Sequence, residues 1–181
     1  MKRLMLAFGT LCLLGLPLLG QADILVRQVH IEVREGQLYQ DASFTITLNP
    51  VHEEALKNGL PLIFVAETEL SELRDWMWTR ELFSASRQLR LEYHALSEKY
   101  LIEDSEGQIT DTHASLDSAL DALGRIRAWP LLPAERVPSG RHYLGRTRLR
   151  LRLDVLPLPL RVPAYLQSDW HLASDWYLWS P

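Results

Sequence analysis

The stretch YLGRTRLRLRLDV, residues 143–155, constrains the fold more than any other part of this chain. Tyr143, Thr147, Leu149, Leu151, Leu153 and Val155 alternate with Arg146, Arg148, Arg150 and Arg152, and a β-strand is the backbone that sends successive side chains to opposite faces. One face is then an apolar ridge that needs a core to cover it. The other is a stripe of four guanidinium groups about 20 Å long, at about 3.3 Å per residue.

The same period recurs along the chain. Val29, Ile31 and Val33 alternate with His30, Glu32 and Arg34; after a turn at Glu35-Gly36, Ala42, Phe44, Ile46 and Leu48 alternate with Ser43, Thr45 and Thr47. These runs predict an antiparallel pair. NPVHEEALKNG predicts a short helix, with Asn49 as N-cap, Pro50 at the first helical position, Glu53 and Glu54 near the positive end and Gly59 beyond the C-terminus. Leu60 to Ala66 is apolar on both faces and suits a strand covered on both sides. Leu89, Leu91 and Tyr93, and then LSEKYLIED, add further strands. Leu116, Ala119, Leu120 and Leu123 fall at helical spacing between Ser115 and Gly124. Pro130, Pro133 and Pro138 predict a loop, and LPLPLRVPA reads as extended chain at an edge or outside the sheet, because its prolines lack amide donors. The fold class expected is mainly β, an antiparallel β-sandwich or strongly curved sheet with two short α-helices.

The first residues, MKRLMLAFGTLCLLGLPLLGQAD, place Lys2 and Arg3 before an apolar run from Leu4 to Leu19, and set Gly20 and Ala22 at the cleavage-determining positions. This is the pattern of a cleavable secretory signal peptide over residues 1–22, with a single β-rich domain over 23–181. Cys12, the only cysteine, lies inside the leader, so the exported chain is expected to have no disulfide and no thiolate chemistry. The whole chain carries 19 Lys and Arg against 23 Asp and Glu, a formal charge of −4, and loss of Lys2 and Arg3 makes it more acidic. Nucleic acid is therefore not an expected partner, since its binders show a basic surplus.

The motifs of chemistry are sparse. HEEAL at His52 starts like a zinc-protease helix but has Leu56 where the second histidine belongs, and His30, His94 and His142 read as separate strand histidines, so no metal or other cofactor is expected. There is no Gly-x-Ser-x-Gly elbow and no Gly-rich phosphate loop. Glu67, Glu69, Asp75 and Glu81 lie in sequence near Trp76 and Trp78, where a polysaccharide hydrolase would need paired carboxylates beside aromatic sugar platforms. The simpler reading puts Glu67 and Glu69 on the wet face of a strand. Arg146, Arg148, Arg150 and Arg152, with Trp76 and Trp78, form the candidate interaction surface, for phosphate or carboxylate groups of lipid or an acidic partner. The competing reading pairs those arginines across strands with Glu32, Glu67 or Glu92. Trp170, Trp176 and Trp179 in SDWHLASDWYLW are expected to staple down a closing segment; an extended tail would project Trp170 and Trp176 to the same side.

Taken in order, NGLPLIFVAETEL, DWMW, LRLEYHALSEKY, ALDALGRIRAWP, RLRLDVLPLPLRV and SDWHLASDWYLW resemble a family of exported proteobacterial proteins, the domain of unknown function DUF4390. The resemblance spans nearly all of the chain after the leader. It implies an exported, periplasmic domain without established catalytic residues, often encoded beside a sensor histidine kinase. The expectation is a non-catalytic envelope binding or accessory protein, possessing an envelope or membrane-associated protein partner. A hydrolase of envelope polysaccharide and a structural component of an envelope assembly are the alternatives, and the pattern carries no signal for oligomeric state.

Overall fold

The computed structural model describes residues 22–74 and 79–181. β1 (Asp23–Arg34) and β2 (Gln37–Thr47) form the expected hairpin, in register Arg34↔Gln37. Its two turn residues, Glu35 and Gly36, have φ of 50° and 76°, the left-handed pair that matches the twist of the flanking strands. α1 (Pro50–Lys57) follows, and the Asn49 side chain accepts a hydrogen bond from the His52 amide at 3.1 Å. β3 (Leu62–Leu73), β4 (Thr79–His94), β5 (Lys99–Glu103) and β6 (Ile109–His113) then run as an antiparallel meander. α2 (Leu116–Leu123), capped by Ser115, returns the chain to the first sheet as β7 (Arg125–Pro133). β8 (His142–Leu151), α3 (Leu158–Leu166) and β9 (Tyr177–Trp179) complete the chain.

Two antiparallel sheets result, one ordered β1-β2-β7 and the other β6-β5-β4-β3-β8-β9. They face each other as the alternation requires. Ala42, Phe44 and Ile46 from the first sheet meet Phe64, Ala66, Leu89, Leu91, Leu149 and Leu151 from the second in one buried cluster. α1 and α2 each carry the chain between the sheets, and both fill the gap, with Leu56 from one and Ala119, Leu120 and Leu123 from the other. β3 is central, and its even-numbered residues from Leu62 to Leu70 are buried on the inner face.

Three expectations are corrected. The segment with Pro130 and Pro133 is β7, an edge strand: it pairs only with β2, so a residue without an amide donor can sit in it, and bulges at Gln40/Ala42 and Gln37/Tyr39 absorb the irregularity. LPLPLRVPA is not extended. It forms a third helix, α3, because Pro159 lies in the first turn, where no amide bond is required; Arg161 then donates its amide to the Pro157 carbonyl at 3.0 Å. The tail is not extended throughout, since Ser168–Trp170 is a turn of 3-10 helix, so Trp170 and Trp176 do not share a side.

Candidate functional site

The arginine stripe comes to lie on the outer face of the larger sheet. The β3–β8 register sets Glu67 opposite Arg148 and Glu69 opposite Arg146, so the odd-numbered carboxylates of one strand meet the even-numbered guanidiniums of the next. Arg148 Nε donates to Glu67 Oε2 at 2.6 Å, and Arg150 Nη2 lies 2.7 Å from Oε1 of the same carboxylate. Arg146 Nη2 lies 2.6 Å from Glu69 Oε2. Arg152 pairs with Asp154 and donates to Gln88 Oε1 at 3.2 Å. Partial burial acts to raise the Glu67 carboxyl, but hydrogen bonds from Arg150 and Arg148 outweigh it and hold the group below the usual carboxylate range.

The tail adds the aromatic component. Trp176 lies against the guanidinium groups of Arg146 and Arg148, at 4.6 and 4.3 Å from its ring centre, while Ala173 bridges to Arg150. The repeated Ser-Asp-Trp therefore has two different fates. Trp170 of the first copy is buried edge-on against His52, with ring centres 5.5 Å apart, and Trp176 of the second locks the arginine ladder from outside. Trp179 turns inward from β9. It covers Gly145, where a β-carbon would fall inside the indole, and donates its ring N–H to Thr147 Oγ1 at 2.8 Å.

That bond joins a closed polar ring in the core. Gln40 Nε2 donates to Thr147 Oγ1 at 3.0 Å, Thr68 Oγ1 donates to Gln40 Oε1 at 2.9 Å, and the two threonine hydroxyls are 3.0 Å apart. Thr147 already accepts twice, so its own proton goes to Thr68. The ring is satisfied around its circuit, and it lies between the main cluster and a second one built from Leu38, Leu70, Leu131, Leu132 and Trp179.

Two ionisable groups stand apart from the ladder. Glu72 ends the inner face of β3 and is buried among three arginines: Arg141 Nη1 at 2.6 Å, Arg80 Nη2 at 2.9 Å and Arg74 Nε at 3.6 Å. The Arg141 hydrogen bond, above all, lowers its pKa. His52 is fully buried, its ring nitrogens make no hydrogen bond, and burial lowers its pKa by disfavouring the charged form. Sequence reasoning weighed His52 only as a metal ligand. The signal it missed was position: on α1, His52 and Leu56 are four residues apart and share the inward face.

Chemically, this arrangement holds charge in place. A sugar hydrolase needs a carboxylic acid whose pKa is raised so that it can donate a proton, whereas Glu67 and Glu72 are both held ionised. Trp76 and Trp78, with Asp75, lie outside the described residues. Among the described residues, no group of three or more His, Cys, Asp or Glu is placed to hold a metal ion, and no helix is long and apolar enough to cross a membrane.

No curated protein and no solved structure matches the chain. A family model does, over residues 21–180, so nearly the whole chain belongs to the family described as a domain of unknown function, DUF4390.

Proposed function

We propose that this chain is an exported, non-catalytic binding or accessory protein of the cell envelope, acting beside a membrane sensor kinase. The observation that carries the reading is the state of the carboxylates. Glu67, one of the acid residues suspected as catalytic, is tied to Arg148 and Arg150, and Glu72 is tied to Arg141. Groups held ionised by two or three arginines serve architecture better than proton transfer. The leader-like first 22 residues support export, and an accessory role accords with a domain whose polar groups are spent on its own strands.

Crosslinking in intact cells, followed by identification of the captured protein, tests the reading. Recovery of a membrane-bound envelope protein is the expected result, and retrieval of none would count against the reading. Cleavage of purified envelope polysaccharide by the domain, abolished by Glu67→Gln, would overturn it in favour of a hydrolase.

A further inference from the structure

The small sheet has three strands and the large one six, so the inner face of the large sheet reaches beyond β7, the free edge of the small one. α2 covers part of the excess. Its residues Ala119, Leu120 and Leu123 are buried, and it packs on β4, β5, β6 and β7. Where α2 ends and β7 begins, a gap of about 270 Å³ stays open. Leu89, Ile102, Leu123 and Ile126 line it, each less than a tenth exposed, and Arg87, Arg125 and Arg127 line the same gap.

Each arginine has a local reason to be there. The register sets Arg87 opposite Ala66, a wholly buried residue of β3, so Arg87 stands on the inner face too and is partly buried. Arg125 and Arg127 arrive through a bulge. β7 passes from Trp129 opposite Gln40 to Ile126 opposite Ala42, three residues against two, and Ala128 takes a φ of 47°, in the left-handed region that non-glycine residues rarely enter. Asp41 Oδ1 accepts the Ala128 amide at 2.7 Å and holds that bend in place. In a regular strand Ile126 and Trp129 would point to opposite faces; the bulge buries both, and Arg125 and Arg127 are left exposed beside the gap.

These cations are not neutralised as the outer ladder's are. Among the described residues, Arg87 and Arg127 meet no carboxylate and make no side-chain hydrogen bond, whereas Arg90, three residues along β4, lies 2.6 Å from Glu92 and 3.5 Å from Glu103. Arg125 meets only Asp121, at 3.4 Å, and both of those side chains are mostly exposed. Asp111, the one acidic residue in the lining, lies 3.1 Å from His113. Three guanidinium groups against one carboxylate leave a local positive surplus beside an apolar lining, in a chain of formal charge −4. A partly buried cation with no counter-charge carries a desolvation cost that a bound anion offsets.

We propose that this gap binds a small amphipathic oxyanion: a carboxylate or phosphate head held by Arg87, Arg125 and Arg127, on a short apolar body that covers Leu89, Ile102, Leu123 and Ile126. A guanidinium pairs with either head through two parallel N–H···O bonds, which an uncharged ligand cannot accept so well. The apolar lining gives a bare ion nothing. The gap is also just below the roughly 300 to 1,000 Å³ of common ligand pockets, so the body is a short chain or a single ring rather than a polymer. Such a ligand is a small molecule, and the site stands whether or not the domain serves a sensor kinase.

Isothermal titration of the purified chain with octanoate, octyl phosphate, octanol and acetate tests the site. Octanoate or octyl phosphate should bind, the tighter of the two naming the head group. Octanol, which lacks the charge, and acetate, which lacks the apolar body, should each bind more weakly by about tenfold or more. Arg87→Gln with Arg127→Gln should weaken the tighter ligand by about tenfold or more, whereas Arg27→Gln, which removes an exposed arginine of β1 outside the gap, should leave it unchanged. Ala122→Phe fills the gap without removing a charge and should abolish binding, which keeps the site testable if the double variant does not fold. Binding of neither anion, equal binding of octanol or acetate, or undiminished binding in the folded variants overturns the proposal. None of these results touches the accessory reading, which is judged by the protein captured in cells.

Discussion

Replacing Thr147 with valine removes one buried hydroxyl and keeps the size of the side chain. Gln40, Thr68 and Thr147 are all fully buried, so no water takes over the lost bonds. Two donors lose their acceptor, Gln40 Nε2 at 3.0 Å and the Trp179 ring N–H at 2.8 Å. An unsatisfied buried donor costs about 1 to 3 kcal/mol, so the substitution should cost about 2 to 6 kcal/mol in total. That is a large part of the roughly 5 to 15 kcal/mol that holds a domain folded. At about 2 to 4 °C per kcal/mol for a domain of this size, the thermal midpoint should fall by several degrees or more. Urea unfolding followed by far-ultraviolet circular dichroism measures it. Thr147→Ser, which keeps the hydroxyl, should lose much less. The variant with Gln40→Leu, Thr68→Val, Thr147→Val and Trp179→Phe together should lose less than its single changes sum to, because it leaves no orphaned donor. Were Thr147→Val to stay within about 0.5 kcal/mol of the parent, or the fourfold variant to reach the full sum, the polar ring would not be a coupled unit.

Deleting residues 168–181 removes Trp170, Leu172 and Trp179 from the core, and at about 1.5 to 3 kcal/mol for each large apolar side chain the loss should be about 5 to 9 kcal/mol; an unchanged unfolding midpoint would show the tail to be dispensable for folding. Gly145→Ala should destabilise the domain, because the new β-carbon occupies the space of the Trp179 ring, and it should do so less in a Trp179→Ala background; equal effects in the two backgrounds would mean that the ring does not sit there. His52 is neutral when folded and has an ordinary value near 6.5 when unfolded, so the unfolded chain binds more protons at acid pH. Its contribution to stability is thus complete above pH 6.5. It falls by about 1.4 kcal/mol per pH unit below that until the lowered folded value is reached, and His52→Phe should flatten the slope below about pH 6.5. An identical slope in that variant, from urea titrations at several pH values, would assign the effect elsewhere. The Glu67 and Glu72 windows lie lower, because carboxylates with depressed values lose their contribution only as pH falls through them.

Periodicity made the strands legible wherever one face is wet. β1, β2, β4 and β8 alternate, and each was readable from its own residues because burial on one side leaves a period-two trace. Both helices with caps were readable too, since Asn49 and Ser115 each satisfy a first-turn amide. The misreadings fall on proline. A proline forbids an amide bond, but an edge strand and a helix's first turn both have amides to spare, so Pro130 and Pro159 exclude less than they suggest. β6 left no alternation to find, because Ile109, Thr110, Asp111 and Thr112 are all exposed on a terminal strand.

The arginine stripe shows why a site is harder to read than a fold. Its alternation fixed which side chains share a face, yet whether that face awaits a ligand depends on the neighbouring strand, and the partners of Arg146, Arg148 and Arg150 lie 77 to 83 positions earlier in the chain. The acidic residues that answer it, Glu67 and Glu69, carry the same period two and were suspected separately as catalytic. One register explains both observations. Guanidinium groups aligned with carboxylates at 2.6 to 2.9 Å, with Trp176 stacked over two of them, bind the tail to the sheet's outer face while Trp179 binds it through the inner one. The tail is thereby clamped from both faces of β8. A ligand for the stripe would have to displace an internal carboxylate, so the alternation that suggested a binding surface is taken up in holding β3, β8 and the tail together.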